Sequence, residues 1–148
     1  MAPESASLQR TFNKSVGIAV SGGRAADSVA STQISDEDLV VAVEMAIRRT
    51  GLFSKTFRSP SGDYQLDLRI VKLKQPLMGL DMTVSAQIEW RLKRTRGGKP
   101  IWQETIDTEH TAKLGEAFVG VERLSLATEG AVRKNIQTGL EHLSRQSL

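Results

Sequence analysis

Asp81-Met82-Thr83-Val84-Ser85-Ala86-Gln87-Ile88-Glu89-Trp90-Arg91-Leu92-Lys93-Arg94-Thr95-Arg96-Gly97-Gly98-Lys99-Pro100-Ile101-Trp102-Gln103-Glu104-Thr105-Ile106 is the stretch that decides the fold. Its first half alternates. Met82, Val84, Ala86, Ile88, Trp90 and Leu92 are apolar, and the positions between them are polar. A period of two marks a strand with one face buried and one face wet. The turn from Arg94 to Pro100 is basic, and Ile101 to Ile106 returns as the second arm. Glu104 interrupts the apolar face between Trp102 and Ile106, which predicts an edge position or a partly buried face. Trp90 and Trp102 are placed to pack across the hairpin.

Working outward, Tyr64, Leu66, Leu68 and Ile70 alternate as another strand, and the change of parity at Val71 and Leu73 predicts a bulge or strand end. Ser59 to Asp63 reads as a turn. Further upstream, Leu39, Val43, Ala46 and Ile47 form a helical stripe. Ser35 is its cap, Asp36, Glu37 and Asp38 suit the positive end of the helix dipole, and Gly51 stops it. Leu52 and Phe53 then tuck back against the core. Val16, Ile18 and Val20 give a short first strand, while residues 24–34 lack periodicity and read as loop. Downstream, Val121, Leu124, Thr128, Val132, Ile136, Leu140 and Leu143 step by three or four, a long helix over about 117–143. Gly120, Gly130 and Gly139 weaken this helix by about 1 kcal/mol each relative to Ala unless they admit close packing on the sheet.

These elements predict a two-layer α+β sandwich in the order β-α-β-β-β-α. Its sheet is mostly antiparallel, and both helices lie on one face. Residues 1–13 are expected to be a flexible tail and 14–148 a single domain. With 148 residues the chain can bury a core without disulfides or metal, and it has no cysteine. No apolar run is long enough to span a membrane, and no signal peptide is visible. A net charge of +3 leans weakly toward anionic partners.

The sequence offers little for catalysis. His110 and His142 lie on different elements, and Glu109 points away from His110 if both are on a strand, so both histidines read as surface residues. Asp36, Glu37 and Asp38 diverge by roughly 100° each around a helix and cannot chelate together. Ser21-Gly22-Gly23-Arg24 lacks the spacing of a phosphate loop, and no serine stands in a nucleophile elbow. No enzyme, metal or cofactor is expected. The remaining candidate is the basic tip, Arg91, Lys93, Arg94, Arg96 and Lys99, either an anion-binding finger or a solvated turn whose charges deter aggregation.

The run Val43-Glu44-Met45-Ala46-Ile47-Arg48-Arg49-Thr50-Gly51-Leu52-Phe53 resembles the helix ending in Ser/Thr-Gly-Leu-Phe of small bacterial envelope lipoproteins. Tyr64-Gln65-Leu66, the segment around Met78 to Met82, Glu104 to Ala112 and the closing Ala127 to Ile136 extend the likeness over about residues 35–143. The element order is similar to that of LptE-like and transport-auxiliary lipoproteins and of the TolB N-terminal domain. The resemblance implies a periplasmic, non-enzymatic domain that binds an envelope protein or anionic lipid or lipopolysaccharide. Such proteins are tethered to the outer membrane by a lipidated cysteine, which this chain lacks. The resemblance therefore implies that an upstream lipoprotein signal was removed, with membrane contact through that lost anchor. The alternative is a cytoplasmic nucleic-acid-binding module using the basic hairpin 91–99; nucleic acid is the less favoured partner.

Overall fold

The computed structural model describes residues 1–23, 34–76, 79–117 and 119–148. The hairpin that anchors the sequence reading is the longest ladder in the sheet. Strand β4 (Met82–Arg94) and strand β5 (Pro100–Ala112) pair antiparallel from Met82 opposite Ala112 to Lys93 opposite Pro100. Strand β3 (Tyr64–Lys74) pairs antiparallel with β4, and the register slips between Ile70 and Lys72. That slip is the bulge which the parity change at Val71 predicts.

The other half of the sheet is parallel. Strand β1 (Phe12–Ser21) lies between β3 and a further strand, β2 (Phe53–Phe57), and runs parallel to both. The sheet order is β2-β1-β3-β4-β5. The two-layer α+β sandwich is the one expected, with two differences. Phe53 begins a fifth strand instead of ending in a tuck, and the sheet is mixed. The sequence also starts β1 too late, because Phe12 pairs with Phe53 inside the segment read as tail.

β2 and β3 behave as one strand that changes sides. β2 ends with Phe57 beside Gly17, and β3 begins with Tyr64 beside Val16, so the six-residue link 58–63 need not run back along the sheet. It crosses β1 at Gly17, where an added Cβ would lie 2.3 Å from the Ser59 carbonyl oxygen. Only a residue without a side chain leaves room for this crossing.

Helix α1 (Asp36–Thr50) packs on β1 and β2, and helix α2 (Gly120–Leu143) on β4 and β5. α1 starts and stops as predicted: the Asp38 N–H donates to Ser35 Oγ at 3.0 Å, and the Gly51 N–H to the Ile47 carbonyl at 2.9 Å. One core runs through both halves, from Phe12, Val16 and Leu39 to Trp90, Ile136 and Leu143. α2 approaches the sheet closely at two glycines. A Cβ on Gly139 would meet the Trp90 ring at 2.3 Å, and one on Gly130 the His110 ring at 2.2 Å. Trp90 and Trp102 pack with their rings tilted by 54° and 6.4 Å between centroids, as the sequence implies.

Residues 1–11 carry no strand or helix, yet they run over the helical layer. The Ser7 N–H donates to Glu141 Oε1 at 2.9 Å and the Gln9 N–H to Ser144 Oγ at 3.0 Å. Met1, Ala2 and Leu8 pack against the core. The loop read over 24–34 lies outside the described residues apart from Ile34, which is buried. With both helices on one face, the opposite face of the sheet is open and polar: Ser85, Gln87, Glu89, Arg91 and Lys93 alternate with the buried residues of β4.

Candidate functional site

The five cations predicted as an anion-binding finger separate into two groups. Arg91 and Lys93 point to the open sheet face, where carboxylates meet them. Arg91 lies 3.4 Å from Glu89, which Arg69 also contacts at 3.4 Å, and Lys93 lies 3.5 Å from Asp67. Exposed pairs of this kind contribute about 0–1 kcal/mol each, but they cancel charge locally. Strand alternation explains the separation, because residues two apart on β4 share a face and Arg94 takes the other.

The tip keeps its charge. The Arg94 N–H donates to the Lys99 carbonyl at 2.9 Å, and Gly97 and Gly98 adopt positive φ to close the turn. The Arg94 guanidinium lies 5.9 Å from the centre of the Tyr64 ring. Arg96 and Lys99 are exposed, and none of the three tip cations has an ion pair among the described residues. The Thr95 N–H donates to the Asp63 carbonyl at 3.2 Å, tying the tip to the 58–63 link.

Together they form a cleft of about 580 Å³ between the tip and the start of β1, walled by Lys14, Asp63, Tyr64, Arg94 and Arg96. Lys14 is the cation that sequence reasoning missed, because it joins the tip only through the parallel pairing of β1 with β3. Among the described residues Asp63 is the one carboxylate in the wall, and it is already engaged. Its Oδ2 accepts from the Ser15 N–H and hydroxyl, both at 3.0 Å. The backbone bond, the hydroxyl and the nearby Lys14 hold its carboxyl below the usual carboxylate range. Three cations and one engaged carboxylate thus make the cleft a positively charged recess able to hold an anionic group.

The histidines are built into the scaffold. His110 sits in the notch at Gly130, where burial, then the positive charges of Lys134 and Arg133, push its imidazole below the usual range. Glu109 is on the other face of β5, as strand geometry requires. His142 Nδ1 lies 2.8 Å from Glu104 Oε1. That contact explains the polar residue on the inner face of β5, which is indeed the edge strand. Among the described residues no group of three or more His, Asp or Glu converges as a metal site, and no helix is long and apolar enough to cross a membrane.

No family model and no curated protein matches this chain. Solved structures do. A Xanthomonas campestris protein matching the DUF330 family model superposes with a TM-score of 0.71 at 13% identity, over 96% of this chain and 89% of its own. A minor lipoprotein from Acinetobacter baumannii gives a TM-score of 0.57 at 12% identity, over 94% of this chain and 99% of that one. Rare lipoprotein B from Shewanella oneidensis gives 0.51 at 10% identity, over 88% and 93%. At such identities the likeness is one of fold. This chain has the two-layer α+β fold of small bacterial envelope lipoproteins, as its helix ends and strand pattern imply.

Proposed function

We propose that this chain is the folded domain of a bacterial envelope lipoprotein, periplasmic and tethered to the outer membrane in its full-length form, that acts by binding and not by catalysis. The observation that carries this reading is the near full-length fold correspondence with lipoproteins in both directions. The site chemistry agrees with it, because both histidines are engaged in packing or pairing within the scaffold. The basic cleft formed by Lys14, Arg94 and Arg96 is the surface for an anionic envelope component, with phosphate or carboxylate groups as its complement.

The test is lipid labelling of the product of the natural gene. Cells expressing it with a C-terminal tag are fed an alkyne fatty acid and fractionated. Label on the tagged protein, recovered with the outer membrane, is the expected result. An unlabelled protein in the cytosolic fraction overturns the reading.

A further inference from the structure

Residues 1–11 follow the seam between the two helices, and the fold sets their direction. α2 lies with Gly120 near Met82 and Gly139 near Trp90, so it runs with β4 and against β5. β5 is antiparallel to β4, as β3 is, and β3 is parallel to β1. α1 returns the chain from β1 to the parallel strand β2. Both helices therefore run opposite to β1 and parallel to each other. The N-terminal segment runs with them. Met1 and Ala2 line a cavity of about 430 Å³ with Asp38, Val41 and Met45 of α1 and Glu129 of α2. Ser7 and Gln9 lie farther along, bonded to Glu141 and Ser144 at the end of α2. The Phe12 N–H then donates to the Leu52 carbonyl at 2.7 Å, where the chain turns into β1.

Few contacts hold the segment in that seat. Six of its eleven residues are exposed, Met1, Ala2, Ala6 and Leu8 are half-buried, and Pro3 is buried. The two backbone bonds end on groups that each have a second partner. Glu141 Oε1 also accepts from Gln137 Nε2 at 3.2 Å, and the Ser144 hydroxyl also donates to the Glu141 carbonyl at 2.7 Å. Departure of the segment leaves those partners in place, so neither group loses its last bond. On α1, Val41 and Met45 are already 36% and 40% exposed beside it. Against these contacts stands the conformational freedom of eleven ordered residues. Segments with few buried contacts and a solvent-exposed backbone open at far lower free energy than core strands.

We infer that residues 1–11 are a two-position tether, seated in the seam between the helices or released from it while the domain stays folded. Seated, the segment follows α2 from Glu129 to Ser144, about 22 Å at 1.5 Å per residue. Its first residue then lies back over the helical layer, and an anchor attached there holds the helices toward the anchoring surface. Released, eleven extended residues reach roughly 36–40 Å, and the domain stands off and turns about Phe12. The inference rests on the envelope reading only for what the segment is attached to. Lipid labelling reads the anchor and the measurements below read the segment itself, so the two can fail independently.

The experiment is native-state hydrogen exchange on the 148-residue protein, joined to a distance measurement between two spin labels. The chain has no cysteine, so labels on Ser5→Cys and Glu122→Cys, both exposed positions, stand alone. The Ser7 and Gln9 amides are expected to exchange more slowly than in a free peptide, yet about a hundredfold or more faster than the amides of β1. The labels should give a narrow short distance and a broad longer one. Leu8→Ser with Glu141→Ala should lower the protection of Ser7 and Gln9 about tenfold and shift the labels to the broad distance, with an unchanged urea midpoint. The proposal is overturned if Ser7 and Gln9 exchange only together with β1 and a single short distance survives the substitutions, because the segment is then a fixed part of the core. It is equally overturned if the wild-type segment exchanges like a free peptide and gives the broad distance alone, because it then has no seat.

Discussion

Trp90 Nε1 donates to Asn135 Oδ1 at 2.8 Å, and neither residue is exposed. Asn135 Nδ2 in turn donates to the Ile106 carbonyl at 2.8 Å, so one buried amide joins α2 to both arms of the hairpin. Asn135→Leu strands the indole N–H and a backbone carbonyl in the core, each costing about 1–3 kcal/mol. A loss of about 2–5 kcal/mol is expected in urea unfolding, with Asn135→Asp also destabilised because it can accept from Trp90 but not donate to Ile106.

The two close glycines of α2 separate helix propensity from packing. Alanine should stabilise an open helical position by about 1 kcal/mol. At Gly139 the new methyl meets the Trp90 ring at 2.3 Å, and Trp90 is fully buried. Gly139→Ala is therefore expected to cost about 1–3 kcal/mol or more. At Gly130 the obstacle is the half-exposed His110 ring, which can swing outward, so Gly130→Ala costs less. Equal effects in paired denaturation curves would contradict this ordering.

Burial, with Lys134 and Arg133 adding to it, lowers the folded-state pKa of His110 below its ordinary 6.5. The unfolded chain then binds the proton more readily than the folded one. The contribution of His110 to stability is complete above about pH 6.5 and is lost as pH falls toward the folded-state value. The difference in urea midpoint between wild type and His110→Gln should therefore change between about pH 8 and pH 5 in the direction of relative loss by wild type. A difference independent of pH rules the mechanism out.

Gly17 lies under the 58–63 crossing, and any side chain there meets the Ser59 carbonyl and the Gln65 amide oxygen at 2.5 Å or less. Valine has the better strand propensity, yet Gly17→Val is expected to destabilise by about 1–3 kcal/mol through overpacking. Hydrogen exchange should show the loss first in β2 and the link.

The cleft at the tip predicts a charge effect without a stability effect. Arg94→Glu with Arg96→Glu should weaken lipopolysaccharide binding and flatten its salt dependence, while the unfolding midpoint moves within about 0.5 kcal/mol of wild type. Lys14→Glu should act in the same direction. Unchanged titration by all three positions would leave the tip as a solvated turn.

Local pattern made much of this molecule legible. The hairpin, the α1 caps and the bulge at Val71 are encoded by neighbours in sequence. So was the close approach of α2, since Gly130 and Gly139 are costly in a helix that packs on nothing. β2 escaped because Phe53–Phe57 is five residues long, with exposed Ser54 and Lys55, and pairs in parallel with a strand forty positions away. The site was half legible for the same reason. Spacing placed Arg94, Arg96 and Lys99 together, but only the sheet register shows that Arg91 and Lys93 are neutralised and that Lys14 joins the tip.

The central position of β1 has a mechanical consequence. β1 follows directly from the N-terminal segment and is flanked on both sides by parallel partners. A pull transmitted through that segment along the strand axis loads the β2 ladder over residues 12–17 and the β3 ladder over 16–21 in shear, so within each ladder the hydrogen bonds share the load and do not peel one by one. A domain hung by its N-terminus from a surface thus meets tension at the strand best placed to resist it.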